Sequence, residues 1–217
     1  MTRYRLVVFD LYGTLLDVSG MAERMSFVLG RDAGALLAQW RTAQLERTWE
    51  LNKLGTYEPW DQVTAWAFDR VVATRGEQVP AETRIRMIDE WLSVPAHADA
   101  GDTLRKLRAA GVRVAVLSNG TLPMIALAIS EAKLNLDEVL SVDAVRVYKP
   151  DPRVYGLLDA LAPKGEQLFV SSNAFDAEGA KRAGLTVAFV DRGNAQPAVE
   201  PDYRVGSLSA LLAIVEV

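Results

Sequence analysis

The chain has 217 residues, half of them hydrophobic, and a formal charge of -4 at neutral pH, which is enough material for one large core with a modest insert. It contains no cysteine, which excludes disulfides, thiol catalysis and thiolate metal sites. The acidic balance argues against a nucleic-acid partner, and no apolar run approaches the length of a membrane span.

The first five residues lead directly into an apolar run, so a signal peptide has no room and a cytoplasmic location is expected. Segments 6–10, 112–118, 138–141, 168–171 and 186–190 read as buried strands, from their continuous apolar content and turn-forming ends. Helical patterns lie between them at 100–110, 154–161 and 177–183, with Gly111, Gly184 and Gly193 where elements should stop. Alternation of strand and helix predicts an α/β fold, a doubly wound parallel sheet with helices on both faces. The stretch between the first two strands is different. It reads as helices near 21–29, 32–53, 59–75 and 80–92 and holds all five tryptophans, Trp40, Trp49, Trp60, Trp66 and Trp91. It is expected to be a helical cap, residues 18–96, inserted into a core made of residues 1–17 and 97–217. Most of the tryptophans should form the insert's own small core.

Asp10 closes the first strand, where open α/β sheets bind their ligands. A carboxylate there is ionised at neutral pH and can act as a nucleophile without prior proton transfer. A turn or capping aspartate is the plain alternative. Ser118 and Asn119 end the second strand in the same way. The only histidine, His97, lies outside every motif and reads as a surface or hinge residue; one histidine cannot build a multi-histidine metal site.

Five segments taken together point further. They are Phe9-Asp10-Leu11-Tyr12-Gly13-Thr14, Arg41 with Gln44-Leu45-Glu46, Leu117-Ser118-Asn119-Gly120, Tyr148-Lys149-Pro150-Asp151-Pro152 with Tyr155, and Ser171-Ser172-Asn173-Ala174-Phe175-Asp176. Each is weak alone. In this order, from about Val7 to about Asp191, the set resembles the L-2-haloacid dehalogenases of the haloacid dehalogenase superfamily. Most members of that superfamily are magnesium-dependent phosphohydrolases with a second aspartate two residues after the first. Here Tyr12 takes that place, and tyrosine, with a reference pKa of about 10, is a poor general acid and base near neutrality.

The resemblance implies hydrolysis of (S)-2-haloacids to (R)-2-hydroxyacids and halide through an ester on Asp10. Thr14 would orient Asp10. Arg41, with its planar guanidinium, would hold the leaving halide or the substrate carboxylate. Ser118 and Asn119 would bind the carboxylate and steady the leaving atom. The backbone N–H groups of Leu11 and Tyr12 would form an oxyanion hole. Lys149 would contact Asp10 and favour its charged form. Tyr155 would hold the lysine or a nearby carboxylate. Asp176 would position or activate water, with Ser171 and Asn173 ordering the network around it. Tyr12, Leu45, Trp60 and Phe175 would line the pocket, Phe175 standing where the family often has tryptophan. No metal and no cofactor is expected, since Tyr12 and Ser172-Asn173 remove carboxylates that a hard cation needs. The partner implied is a small halogenated carboxylic acid, with a homodimer built through the cap, and with neither nucleic acid nor membrane. A phosphohydrolase of the same superfamily and a non-catalytic binding protein on the same fold are the alternatives.

Overall fold

The computed structural model describes residues 3–29, 32–193 and 196–216. Six strands form one sheet: β1 (Leu6–Phe9), β2 (Arg113–Ser118), β3 (Glu138–Ser141), β4 (Gln167–Ser171), β5 (Thr186–Val190) and β6 (Tyr203–Val205). Every pairing is parallel, in the order β3-β2-β1-β4-β5-β6. The chain therefore runs outward from β1 to one side, then returns beside β1 and runs out to the other. The reversal at β1 opens a crevice at the C-terminal strand ends. Phe9 is in register with Val116 on one side and Val170 on the other, so Asp10, Leu117 and Ser171 emerge together at that rim.

β1, β4 and most of β2 are wholly buried, as their unbroken apolar runs require. The expected five strands are present. A sixth, β6, was not expected: it is a three-residue edge strand, half exposed and without an apolar run. Its Tyr203 hydroxyl meets that of Tyr4, 3.0 Å away.

Among the described residues the helices are α1 (Met21–Leu29), α2 (Ala33–Leu54), α3 (Trp60–Thr74), α4 (Ala81–Asp89), α5 (Ala100–Ala109), α6 (Leu122–Glu131), α7 (Pro152–Gly156), α8 (Ala174–Arg182) and α9 (Leu211–Val215). Two expected helices are shorter than their patterns. The one near 80–92 stops at Asp89 and tightens into a 3-10 turn, Glu90–Leu92; the one near 154–161 is α7 followed by a 3-10 turn, Leu157–Ala160. Helix α6 was missed, although Thr121 caps it by accepting from the Met124 N–H and Pro123 stands in its first turn. None of the described helices is long and apolar enough to cross a membrane.

Helices α1 to α4 lie between β1 and α5 in the chain, and α2 and α3 pack against each other. Trp40 is buried at their junction: its indole N–H donates to Thr64 O (2.8 Å) and its ring meets those of Phe68 and Trp91 edge-on. Not all the tryptophans are core. Trp49 is 45% exposed, and Trp66 is half-buried with Arg47 and Arg70 over its ring. Helix α2 ends at Gly55, whose φ of +67° lets the N–H groups of Gly55 and Thr56 bond back to Asn52 O and Leu51 O.

Two contacts fix the insert over the sheet. At its root the entering and leaving chains run side by side, Asp17 N–H donating to Pro95 O (2.7 Å) and His97 N–H to Leu15 O (2.9 Å). Farther out, the Asn52 side chain on α2 pairs with the backbone of Tyr148, donating to its carbonyl (2.7 Å) and accepting from its N–H (2.9 Å). The Tyr148 hydroxyl donates to Glu58 O, and the Tyr57 hydroxyl donates to Asp143. Truncation at Asn52 leaves two main-chain groups of Tyr148 without partners. Asn52→Ala should therefore lower stability by about 1–3 kcal/mol, read as a shift in urea midpoint at constant slope.

Candidate active site

The first turn after β1 is built to present a carboxylate. Asp10 N–H continues the ladder to Val170 O (2.9 Å), and Gly13, at φ +92°, turns the chain back so that its N–H reaches Leu16 O. The Asp10 carboxylate is 7% exposed and held at both oxygens. Oδ2 accepts from the Thr14 hydroxyl (3.1 Å) and from Asn173 Nδ2 (2.7 Å). Oδ1 accepts from Lys149 Nζ (3.0 Å). Its plane and its two faces are thus fixed before any substrate arrives.

Lys149 arrives from the loop after β3 and is 1% exposed. Its ammonium also donates to Asp176 Oδ2 (2.9 Å) and lies over the Phe169 ring. Burial alone would push this amine down, but Asp10 and Asp176 outweigh burial and hold it above its ordinary value. Asp176 comes from the first turn of α8 and is fully buried. Burial pushes its carboxyl up to about 6; Lys149 and the Tyr155 hydroxyl draw it down, while Asp10 adds to the rise. Tyr155 donates to Asp176 Oδ1 (2.8 Å), so of the two expected partners it holds the carboxylate rather than the lysine. Both Asp176 oxygens accept a bond, and each keeps a second lone pair.

Other expected residues are placed around this triad. Asn173 also donates to Tyr12 O (3.1 Å), and Ser171 Oγ accepts from Asn173 N–H (3.1 Å), which fixes the turn into α8. Asn119 Oδ1 accepts from Lys149 N–H (3.1 Å), and Ser118 Oγ accepts from Gly120 N–H (3.1 Å). The backbone N–H groups of Leu11 and Tyr12 donate to no acceptor among the described residues. Burial pushes the Tyr12 phenol well above its ordinary value, so it stays protonated, and it donates to Trp91 O (3.0 Å).

Arg41 extends from α2 toward the crevice. Its guanidinium carbon lies 5.8 Å from the ring centre of Trp60 and 5.8 Å from that of Trp91. Burial lowers its pKa from the ordinary arginine value, Asp10 raises it, and it remains a cation. A cavity of about 520 Å³ opens beside these groups, with Tyr12, Arg41 and Asn173 in its wall and Asp17, His97 and Arg192 at the root of the insert. The other three expected lining residues come from α3, α2 and α8. Trp60 packs on Tyr148, Leu45 is half-buried on α2, and the Phe175 ring meets that of Trp49 edge-on at 6.1 Å, bridging α8 to the insert.

Two participants had been assigned no role. Ser172 donates from its hydroxyl to Gly13 O (2.6 Å) and from its N–H to Thr14 Oγ1 (2.9 Å), tying the turns after β1 and β4 together. Trp91 supports both Tyr12 and Arg41. Ser172 stood inside a recognised motif, whereas Trp91 carried no signal beyond its size. Where a divalent cation would bridge two carboxylates, the Lys149 ammonium already does so, and no three His, Asp or Glu side chains cluster as metal ligands among the described residues.

Known proteins are similar to this chain in sequence and fold. The model of the haloacid dehalogenase-like hydrolases matches residues 4–184. The (S)-2-haloacid dehalogenase of Pseudomonas sp. (strain YL) is 37% identical over 217 residues, covering 97% of this chain and 94% of its own. The chain belongs to the L-2-haloacid dehalogenases. The (S)-2-haloacid dehalogenase of Pseudomonas fluorescens is 38% identical over 191 residues, 86% of this chain and 84% of its own. Among solved structures, the family's enzyme from Xanthobacter autotrophicus with chloropropionic acid covalently bound superposes with a TM-score of 0.92 at 30% identity, over 98% of each chain. A dehalogenase with an intermediate complex superposes at 0.94 with 36% identity, over 99% of this chain and 98% of that one.

The support for Asp176 leaves one position without room. A Cβ on Gly179 would lie 2.6 Å from Pro150 Cβ and 2.9 Å from Tyr155 Cε2, and closer still to the Tyr155 hydroxyl. Gly179→Ala should displace Tyr155 from Asp176, costing on the order of 1–3 kcal/mol of stability as overpacking does. Thermal unfolding, with the Tyr155 ring signals read by NMR, checks both effects.

Proposed function

We propose that this chain hydrolyses (S)-2-haloacids to (R)-2-hydroxyacids and halide, with Asp10 as the nucleophile. The observation that carries the reading is the buried Lys149 ammonium between Asp10 and Asp176, with Tyr12 in place of a second aspartate. Asp10 attacks C2 opposite the halogen. The C2–halogen bond breaks as the ester bond forms, and the configuration at C2 inverts. Arg41, the cation in the cavity wall, receives the halide or holds the substrate carboxylate, and Ser118 and Asn119 complete the carboxylate's cradle. Water then attacks the carbonyl carbon of the ester. Asp176, largely ionised at neutral pH, takes the proton, and the N–H groups of Leu11 and Tyr12 stabilise the oxyanion; on collapse the bond from Asp10 Cγ to the hydroxyacid oxygen breaks, that oxygen takes the proton back from Asp176, and the second water proton leaves as Asp10 returns to its carboxylate. Lys149 stays positive throughout, which offsets the charge that returns to Asp10.

Tyr12 speaks against the phosphohydrolase alternative, because a buried phenol held protonated cannot exchange the protons that a leaving phosphate ester requires. A binding protein would have no use for three ionised groups fully removed from water, whose desolvation is costly. The cap is proposed as residues 18–96 and the enzyme as cytoplasmic. We propose a homodimer formed through the cap, where Trp49 and Leu54 on α2 and Ile85 on α4 are exposed.

Halide release from (S)-2-chloropropionate, assayed after exhaustive chelation beside a phosphatase assay, tests the reading. Release of chloride without added metal is expected; phosphatase activity restored by Mg²⁺ would overturn it. In a single turnover in ¹⁸O-water with enzyme in excess, the hydroxy acid should be unlabelled and the label should appear in the peptide carrying Asp10. Labelled product would mean direct attack by water. Light scattering at micromolar concentration should give twice the chain mass; a monomer would refute the dimer alone.

A further inference from the structure

We infer that Trp91 is a positioning residue for Arg41: its indole forms one side of an aromatic clamp, closed on the other side by Trp60, that holds the guanidinium over the crevice. The inference rests on the reading of Arg41 as the cation of the dehalogenase site and assigns a role to a residue outside every motif of the sequence.

A guanidinium on a long side chain has about 2 kcal/mol of rotamer freedom to lose, so its placement needs a cause. Polar contacts do not supply one. Among the described groups Arg41 has a single hydrogen bond, a 3.5 Å contact from Nη1 to Gln44 Oε1, and no carboxylate within ion-pair distance. The two indoles supply what is missing. The guanidinium carbon is 5.8 Å from each ring centre, within the range of a cation–π contact, and indole is the strongest of the aromatic partners. Both indoles are essentially inaccessible to solvent, which strengthens such contacts.

The clamp is itself fixed. Trp91 is seated by edge-on contacts with Trp40 (5.5 Å) and Tyr12 (5.7 Å), and its carbonyl accepts the Tyr12 hydroxyl. Trp60 is seated on Tyr148, next to Lys149 in the chain. The two sides of the clamp thus carry the positions of β1's turn and of the Lys149 loop to the arginine. Both indole N–H groups are buried without an acceptor. The Tyr12 hydrogen bond uses the Trp91 main chain, so substitutions at 91 remove the ring and leave that bond available.

The test combines NMR with kinetics. The Nε–H signal of Arg41, assigned by its loss in R41K, should be shifted by the two ring currents in the wild type. In W91L that shift should collapse, while in W91F, which keeps an aromatic face, most of it should remain. In kinetics, W91L should lower kcat by about tenfold to thirtyfold, and W91F by no more than about threefold. In the R41K background W91L should cost less than about twofold more, because the two act as one unit. An Arg41 signal unmoved by W91L, or additive losses in the double variant, would overturn the inference. If W91L does not fold, W91F decides alone: its Arg41 signal should lose the smaller part of the ring-current shift while the other arginine signals hold, and an Arg41 signal identical to the wild type would overturn the inference. A wild type that shows the shifted signal but releases no halide would refute the dehalogenase reading and leave the clamp standing.

Discussion

One buried ammonium organises the active end of this molecule. Lys149 bridges Asp10 and Asp176, and each of the three arrives from a different connection: after β1, after β3 and after β4. None could be buried alone, since an isolated ion in a dry interior costs far more than a fold can supply. Breaking such a pair by deleting one partner typically costs about 3–5 kcal/mol. The strand ends must therefore converge for the charges to be tolerated. The parallel sheet achieves this by ending β3, β1 and β4 at one edge, where the loop after β3 returns past β2 to bring Lys149 to Asp10. Thr14, Asn173 and Tyr155 add further hydrogen bonds to the two carboxylates, and Ser172 bonds Thr14 and Gly13, so that the turns after β1 and β4 become one unit.

The charges also set a division of labour. The triad carries a net charge of minus one, which by itself repels a carboxylate substrate. Arg41 adds a positive charge from the cavity wall, without an ion pair to the triad. Its surroundings are aromatic: a carboxylate partner would neutralise it, whereas an indole face holds it and leaves its charge available.

What the sequence disclosed and what it hid follow from different physics. Strands β1 and β4 were legible because a run buried on both faces must be continuously apolar. Asp10, Lys149 and Asp176 were legible because they fall in short motifs at strand ends. Strand β6 was not, because a three-residue edge has too few apolar positions to show a period. Trp91 and Asn52 were hidden for another reason. Both lie on helical or 3-10 segments of the insert, where spacing indicates an inward face without saying what that face meets. Asn52 reads as any polar helix residue until Tyr148, 96 positions away, is placed beside it. Phe175 gains a contact that its motif did not indicate: its ring meets that of Trp49 on the insert edge-on.

The root of the insert has a consequence for how such proteins diversify. The chain leaves the sheet at Leu15–Asp17 and returns at Pro95–His97, the two passages zipped together as a short antiparallel bridge between Leu16 and Ala96. Along the chain, the intervening residues leave and return at adjoining points. Closing a loop on such ends becomes only slowly more costly as the loop lengthens. The excursion can thus be shortened, lengthened or exchanged for another without disturbing strand register. The sheet and its charged triad form a chassis, and the insert is a cassette joined to it at neighbouring ends.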